Sequence, residues 1–397
     1  MQTGYGHLTY CSNIHPGLSW EHHFNELRTN VPLVRQAVAG NAPMALGLRC
    51  SNEASLVLTE ELDVFRQWLR ENHLYVISIN GFPYADFHQE VVKDRVHRPD
   101  WTTAERLDYT KRLCNILARL LPDGMEEGGV STPPLSYRHW WGSSLPDTAD
   151  QATRNLLKMI GFLIDLRRET GKLVHIDIEP EPDGILDNGG DFFEWYSQKL
   201  LPMGVRYLQE ERGFSADEAR EAIYAHLRLC YDVCHFAVSY EDPATVFAHL
   251  AASGIRVGRI QVSSALRVDL GEKREEKLNT LRAFLEPIYL HQVVARTQSG
   301  ELVRYPDLDL ALAADSADHA EWRVHFHVPL FMDAYGLLRS TRPDINQVLE
   351  LHQANPVTNC LEIETYTWGV LPRELQMPIA DSIIREMKWV KQQLEKN

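Results

Sequence analysis

Four short segments of the chain carry side chains able to bind a divalent cation or move a proton: HIDIEPEP with Glu179, CYDVCHF with Asp232 and His235, VHFHVPL with His325 and His327, and LEIETYTW with Glu364. Each reads as a β-strand ending in chemically capable residues. Side chains alternate between the two faces of a strand, so His175, Asp177 and Glu179 share one face while Ile176 and Ile178 take the other. The same parity pairs Glu362 with Glu364, and His325 with His327 at about 7 Å along a strand. Carboxylates and imidazoles are rarely buried without a partner. A divalent cation is the simplest partner, because it lets acidic oxygens and imidazole nitrogens share a space that mutual repulsion otherwise forbids.

Pro180 ends the strand just after Glu179, with Glu181 as the neighbouring alternative. Asp232 and His235 reach one centre if the chain turns after Val233; a purely structural Asp-His hydrogen bond is the other reading. Glu364 is followed by Tyr366 and Trp368, which either wall a binding mouth or belong to the core. Gln261 in GRIQVSSA offers a neutral carbonyl ligand at another strand end. Asn13 and His15 in SNIHPG, Asn80, Tyr84 and His88 in NGFPYADFH, and Tyr137, His139 and Trp140 in SYRHWW are further candidates for substrate contact. There is no nucleophile elbow, P-loop or HExxH motif.

The elements that position these residues alternate along the chain. Apolar runs LTYCSN, MALGLRC, LYVISING, GGVSTPPLS, HIDIE, CYDVCHF, GRIQVSSAL, VHFHVPL and LEIETYTW are separated by helical patterns such as 20–39, 102–121, 149–170 and 383–394. This βα rhythm predicts parallel strands covered by helices. Capable residues at the C-terminal ends of many strands, and no glycine-rich dinucleotide fingerprint, favour a closed (β/α)8 TIM barrel over an open sheet. Nine candidates compete for eight places, and the Pro133-Pro134 pair makes GGVSTPPLS the expected odd one out. A single domain over 1–397 is expected, with long βα loops or insertions at about 82–99, 123–147 and 268–322.

With 397 residues and 44% hydrophobic content the chain can bury a large core. A net charge of -15 argues against nucleic acid or an anionic membrane as the main partner. The absence of a signal-like start and of a long apolar run predicts a cytoplasmic protein without a membrane span. The six cysteines form no CxxC pair and suit reduced core thiols, although Cys230 and Cys234 share a face with Asp232 and leave a thiolate ligand open.

The ordered set IEPEP, DVCH, IQVSSA, HFHVP and EIETYTW resembles the xylose isomerase-like TIM-barrel superfamily of sugar isomerases, ketose epimerases and endonuclease IV. Within it, NIHPG, NGFPYADFH, HIDIEPEP, WRVHFHVPLF and ETYTWGVLP resemble the EboE family, named as a metabolite traffic protein. The superfamily resemblance implies a divalent metal (Mn, Zn, Mg, Co or Fe) held by Glu179, Asp232, Gln261 or His325, and Glu364. With Glu179 and Glu364 as catalytic acid and base, the expected activity is isomerisation or epimerisation of a sugar, cyclitol or related small polyol. His15, Asn80, His235, His327 and Trp368 are the expected substrate contacts. A non-catalytic metabolite-binding protein and an endonuclease IV-like phosphodiesterase are the alternatives, and an oligomer of identical chains is left open.

Overall fold

The computed structural model describes residues 1–17, 19–85, 91–373 and 376–396. Eight strands run parallel in a ring: β1 (Gly6–Tyr10), β2 (Met44–Arg49), β3 (Leu74–Asn80), β4 (Glu127–Thr132), β5 (Leu173–Ile178), β6 (Leu227–Asp232), β7 (Val257–Val262) and β8 (Cys360–Ile363). β8 pairs with both β7 and β1. The parallel bridge Cys11 to Gly47 joins β1 to β2 and closes the circle. The fold is therefore the expected (β/α)8 barrel.

The odd segment is not the expected one. GGVST forms β4, and Pro133-Pro134 follow its last residue, so no ladder donor is lost. Its apolar signal is weak because its glycines make room. A Cβ on Gly129 would sit 2.4 Å from Asp177 Oδ2, and one on Gly258 of β7 would sit 1.8 Å from Asp177 Oδ1.

VHFHVPL lies outside the barrel. Its first residue ends an antiparallel strand, His319–Val324, after which the chain leaves the ladder. That strand belongs to a six-stranded sheet inserted between β7 and β8, ordered Leu302–Tyr305, Val293–Thr297, His319–Val324, Leu266–Asp269, Leu338–Ser340, Ala334–Tyr335. The stretch expected as a loop insertion at 268–322 is thus largely sheet and helix, and the one at 123–147 contains β4. Among the described residues no helix is long and apolar enough to cross a membrane.

Helices cover the barrel because each presents an apolar stripe. Trp20–Ala39 buries Phe24, Leu27, Val31 and Val34 at the helical spacing, and the Ser19 side chain caps its start by accepting from the His22 amide. The barrel lumen, by contrast, is polar. At its centre Arg259 donates from Nε to Asp177 Oδ2 at 3.1 Å and from Nη1 to Glu362 Oε1 at 3.0 Å. Its Nη2 reaches the carbonyls of Ile79 and Gly129. His175 Nδ1 lies 2.5 Å from Asp177 Oδ1, and Ser78 donates to Glu362 Oε2 at 2.5 Å. Arg259, Asp177 and Glu362 are all fully buried. Burial opposes the guanidinium charge, but Glu362 and Asp177 hold its pKa well above the ordinary value. The inward polar face of HIDIE therefore divides: His175 and Asp177 answer to Arg259, and only Glu179 continues to the mouth.

Candidate active site and metal centre

Above the Arg259 layer, strand ends bring three carboxylates together. Glu179 follows β5, Asp232 ends β6 and Glu364 follows β8. One oxygen from each lies within 4.8 Å of the others, and all three residues are buried.

Local structure holds each one. The Glu179 amide donates to Thr132 O at 3.1 Å, continuing the β4–β5 ladder by one residue. Asp232 caps the helix Val233–Val238: its Oδ1 accepts from the Cys234 amide at 2.8 Å, the His235 amide at 3.2 Å and the Ser263 hydroxyl at 2.5 Å. That cap turns the chain after Asp232 and carries His235 back over the mouth, with Nε2 4.0 Å from Asp232 Oδ2. Glu364 Oε1 accepts from Asn13 at 2.7 Å and Asn80 at 3.0 Å. The opposite oxygens, Asp232 Oδ2 and Glu364 Oε2, receive no hydrogen bond from an N–H or hydroxyl of the described residues, and the two carboxyls hydrogen-bond to each other.

The electrostatics follow from this crowding. Burial first, and then the charges of Asp232 and Glu181, push Glu179 well above the usual carboxylate range. Burial and the charges of Glu179 and Asp232 do the same to Glu364. Asp232 goes the other way: burial raises it, but His235, His327 and hydrogen bonds from Ser263 and Glu364 together hold it below the usual carboxylate range. Three carboxylates this close cannot all be ionised unless a cation joins them.

Three imidazoles complete the mouth. His235 Nδ1 lies 3.1 Å from Pro180 O, His325 Nδ1 2.7 Å from Gln292 Oε1, and His327 Nδ1 2.8 Å from Glu364 O. Gln292 is oriented by its own amide, which donates to Pro182 O at 2.9 Å. His325 Nε2 then lies 3.1 Å from His235 Nε2 and 3.3 Å from His327 Nε2. His325 and His327 meet here through the coil after His319–Val324, not through strand alternation.

Other expected residues fall in several places. Asn80 lines the cavity and orients Glu364. Gln261 is buried beside the carboxylates, its Oε1 taken by the Cys230 thiol at 2.8 Å, and Cys230 Sγ also lies 3.8 Å from Glu179 Oε2. His15 does not line the cavity; its Nε2 meets Tyr10 Oη at 3.0 Å. Tyr366 lines the mouth, whereas Trp368 stacks on Phe331 in the core. Tyr84 packs on Tyr109, His139 pairs with Asp183, and Trp140 donates to Asp94, all away from the cavity lining. His88 lies outside the described residues.

The site also contains residues without a clear sequence signal. Asp-like patterns do not reveal Gln292, which comes from the inserted sheet, or His97, whose Nε2 lies 2.8 Å from Glu181 Oε1. The cavity is partly open and measures about 70 Å³. That is room for a few water-sized groups.

The donor set fits a divalent metal: buried acidic oxygens that no N–H or hydroxyl of the described residues serves, and imidazoles whose Nδ1 atoms are held by carbonyl groups. The described groups able to hold one include Glu179, Asp232 and Glu364 together, and Asp232, His235 and His327 together.

No protein-family model matches the chain, and no curated protein matches it. Among solved structures it is similar to an IolI protein with a bound zinc atom, at 11% identity over 98% of each chain with a TM-score of 0.48. It is also similar to a D-tagatose 3-epimerase-like protein, at 10% identity over 98% of this chain and 97% of that one, TM-score 0.48. A sugar phosphate isomerase/epimerase from Parabacteroides distasonis gives 8% identity over 98% and 97%, TM-score 0.40. The barrel itself is established by the strand pairing described above.

Proposed function

We propose that this chain is a metal-dependent isomerase or epimerase acting on a sugar, cyclitol or related small polyol. The observation that carries this reading is the buried trio of Glu179, Asp232 and Glu364 at the C-terminal mouth of the barrel, two of them with raised proton affinity. A divalent cation held there by these carboxylates, with His325 or Gln261 beside them, would polarise a substrate oxygen and acidify the neighbouring proton.

The protein groups divide the remaining work. Asn13 and Asn80 occupy Glu364 Oε1 and so aim Oε2 into the site. Glu179 is held less tightly, with His235 Nδ1 and Cys230 Sγ each 3.8 Å from its oxygens, which leaves it free to take a proton from carbon. Glu364 returns a proton to the same carbon or its neighbour, giving an epimer or an isomer. Tyr366, Tyr289 and Val92 line the mouth and give it an apolar and aromatic wall.

On the motifs quoted above we also read the chain as one EboE-type, xylose isomerase-like domain working on a cytoplasmic metabolite. The test is product analysis with a panel of ketoses, aldoses and keto-cyclitols. Wild type should convert at least one member, and Glu179→Gln should lower kcat by about 10²–10⁴-fold, the usual worth of a general base. Tight binding of a panel member with no conversion would instead favour a metabolite-binding protein.

A further inference from the structure

We propose that Glu386, on the terminal helix, is a positioning residue that clamps together the two segments carrying His327 and Glu364 into the site. The inference rests on reading those two residues as parts of the metal centre and active site.

The helix Ile379–Leu394 buries Ile383, Met387, Val390 and Leu394 along one stripe. Glu386, three residues after Ile383, falls on that stripe and is only 1% exposed. A carboxyl in such a place costs stability unless its oxygens are served. No Lys, Arg or His among the described residues forms an ion pair with it. Its Oε1 accepts instead from the Leu330 amide at 3.1 Å and from the Thr365 hydroxyl at 2.9 Å. Burial raises its pKa to about 8 against the pull of its hydrogen bonds, that from Leu330 foremost, so at neutral pH the carboxyl chiefly keeps its proton.

The two donors belong to different parts of the chain. Leu330 lies three residues beyond His327, in the coil that leaves the inserted sheet, and Thr365 follows Glu364 directly. Strand pairing has stopped at Val324 in the first segment and at Ile363 in the second. The Val328 and Glu364 amides still reach back to Ser264 O and Val262 O. Beyond these, the segments are joined to each other: the Thr367 hydroxyl donates to His327 O, and His327 Nδ1 lies 2.8 Å from Glu364 O. Among the described hydrogen bonds, those to Glu386 tie both segments to one helix. That helix packs on Trp20–Ala39 and on β1, so the clamp fixes the two site residues against the barrel wall. Ligands and proton carriers need such backing, because their geometry must hold to within about 0.5 Å.

Hydrogen–deuterium exchange of the metal-free protein reads the clamp, and titration with Zn²⁺ reads its effect on the site. In Glu386→Ala the segments 325–332 and 362–368 should exchange faster together, and Zn²⁺ affinity should fall by about 10–100-fold, the usual effect of removing a group behind the ligands. Glu386→Gln keeps a carbonyl oxygen for Leu330 and Thr365 and matches the protonated carboxyl, so it should restore both readouts. Thr365→Val leaves the helix intact and removes one donor, so segment 362–368 alone should loosen. Val390→Ala, one turn further along the buried stripe, should unfold at a lower temperature than wild type with both segments still protected and affinity unchanged. Unchanged exchange in Glu386→Ala and Thr365→Val would overturn the clamp, as would equal loosening in Glu386→Gln and Val390→Ala. A wild type that takes up no Zn²⁺ would count against the metal reading by itself, and the exchange patterns would still decide whether Glu386 holds the two segments.

Discussion

Arg259→Ala should cost about 3–5 kcal/mol of folding stability, the usual penalty for leaving buried charges without their partner. Arg259 is the only cation that hydrogen-bonds to both Asp177 and Glu362 among the described residues, and none of the three is exposed to solvent. Without it, Asp177 keeps only His175 and Glu362 keeps only Ser78 from the hydrogen bonds described. The carbonyls of Ile79 and Gly129 lose the same donor. Since a domain is stable by only about 5–15 kcal/mol, much of the fold's margin would go. Arg259→Lys should rescue part of this, because an ammonium restores the charge but cannot span four acceptors with a planar fork. Urea unfolding of the three proteins checks it. A loss under about 1 kcal/mol in the alanine variant would mean that Asp177 and Glu362 take up protons readily and that the charge network is not needed.

Asp232→Asn should weaken metal binding far more than it weakens the fold. Its oxygen can still accept from the Cys234 and His235 amides and from Ser263, so the cap and the turn to His235 survive. The neighbouring imidazoles and hydroxyl favour the Asp232 charge, so its loss should lower the unfolding temperature of the metal-free protein only modestly while the cap persists. Cation affinity should nevertheless fall by at least about 100-fold, since even removing groups behind the ligands commonly costs about 10–100-fold. Calorimetric titration with Zn²⁺ beside thermal unfolding without metal reads both effects. Unchanged affinity would remove Asp232 from the ligand set; a large fall in apo stability would make its role chiefly structural.

Much of this was legible from residue types alone. The βα rhythm identifies the barrel because each parallel strand must be apolar on its outer face, and Glu179, Asp232 and Glu364 stand out as charges at strand ends where apolar runs stop. β4 is faint for a physical reason: Gly129 gives up its side chain so that Asp177 fits in the lumen. VHFHVPL misleads because alternating His, Phe, His and Val has strand parity, yet the ladder ends at Val324 and the Phe326 amide turns back to Val324 O. Arg259 carries the same parity as Gln261, but only the register Asp232 to Gln261 to Glu362 shows which layer of the lumen it neutralises. The orientations of the three histidines depend on Pro180, Gln292 and Glu364, residues far apart in the chain, so no local pattern could have separated ligands from substrate contacts there. His15 and Trp368 are strand-end residues like the others, but the chain turns them to Tyr10 and Phe331 and away from the cavity.

The most direct measurement of the central claim is hydrogen exchange from solvent into a substrate carbon. Metal-loaded wild type incubated in D₂O with ketoses, aldoses and keto-cyclitols should place one deuterium on the carbon next to the carbonyl of a panel member, seen as a one-mass-unit shift, and Glu179→Gln should not. A fully metal-loaded protein that binds panel members yet leaves every one unlabelled would contradict proton transfer by this site.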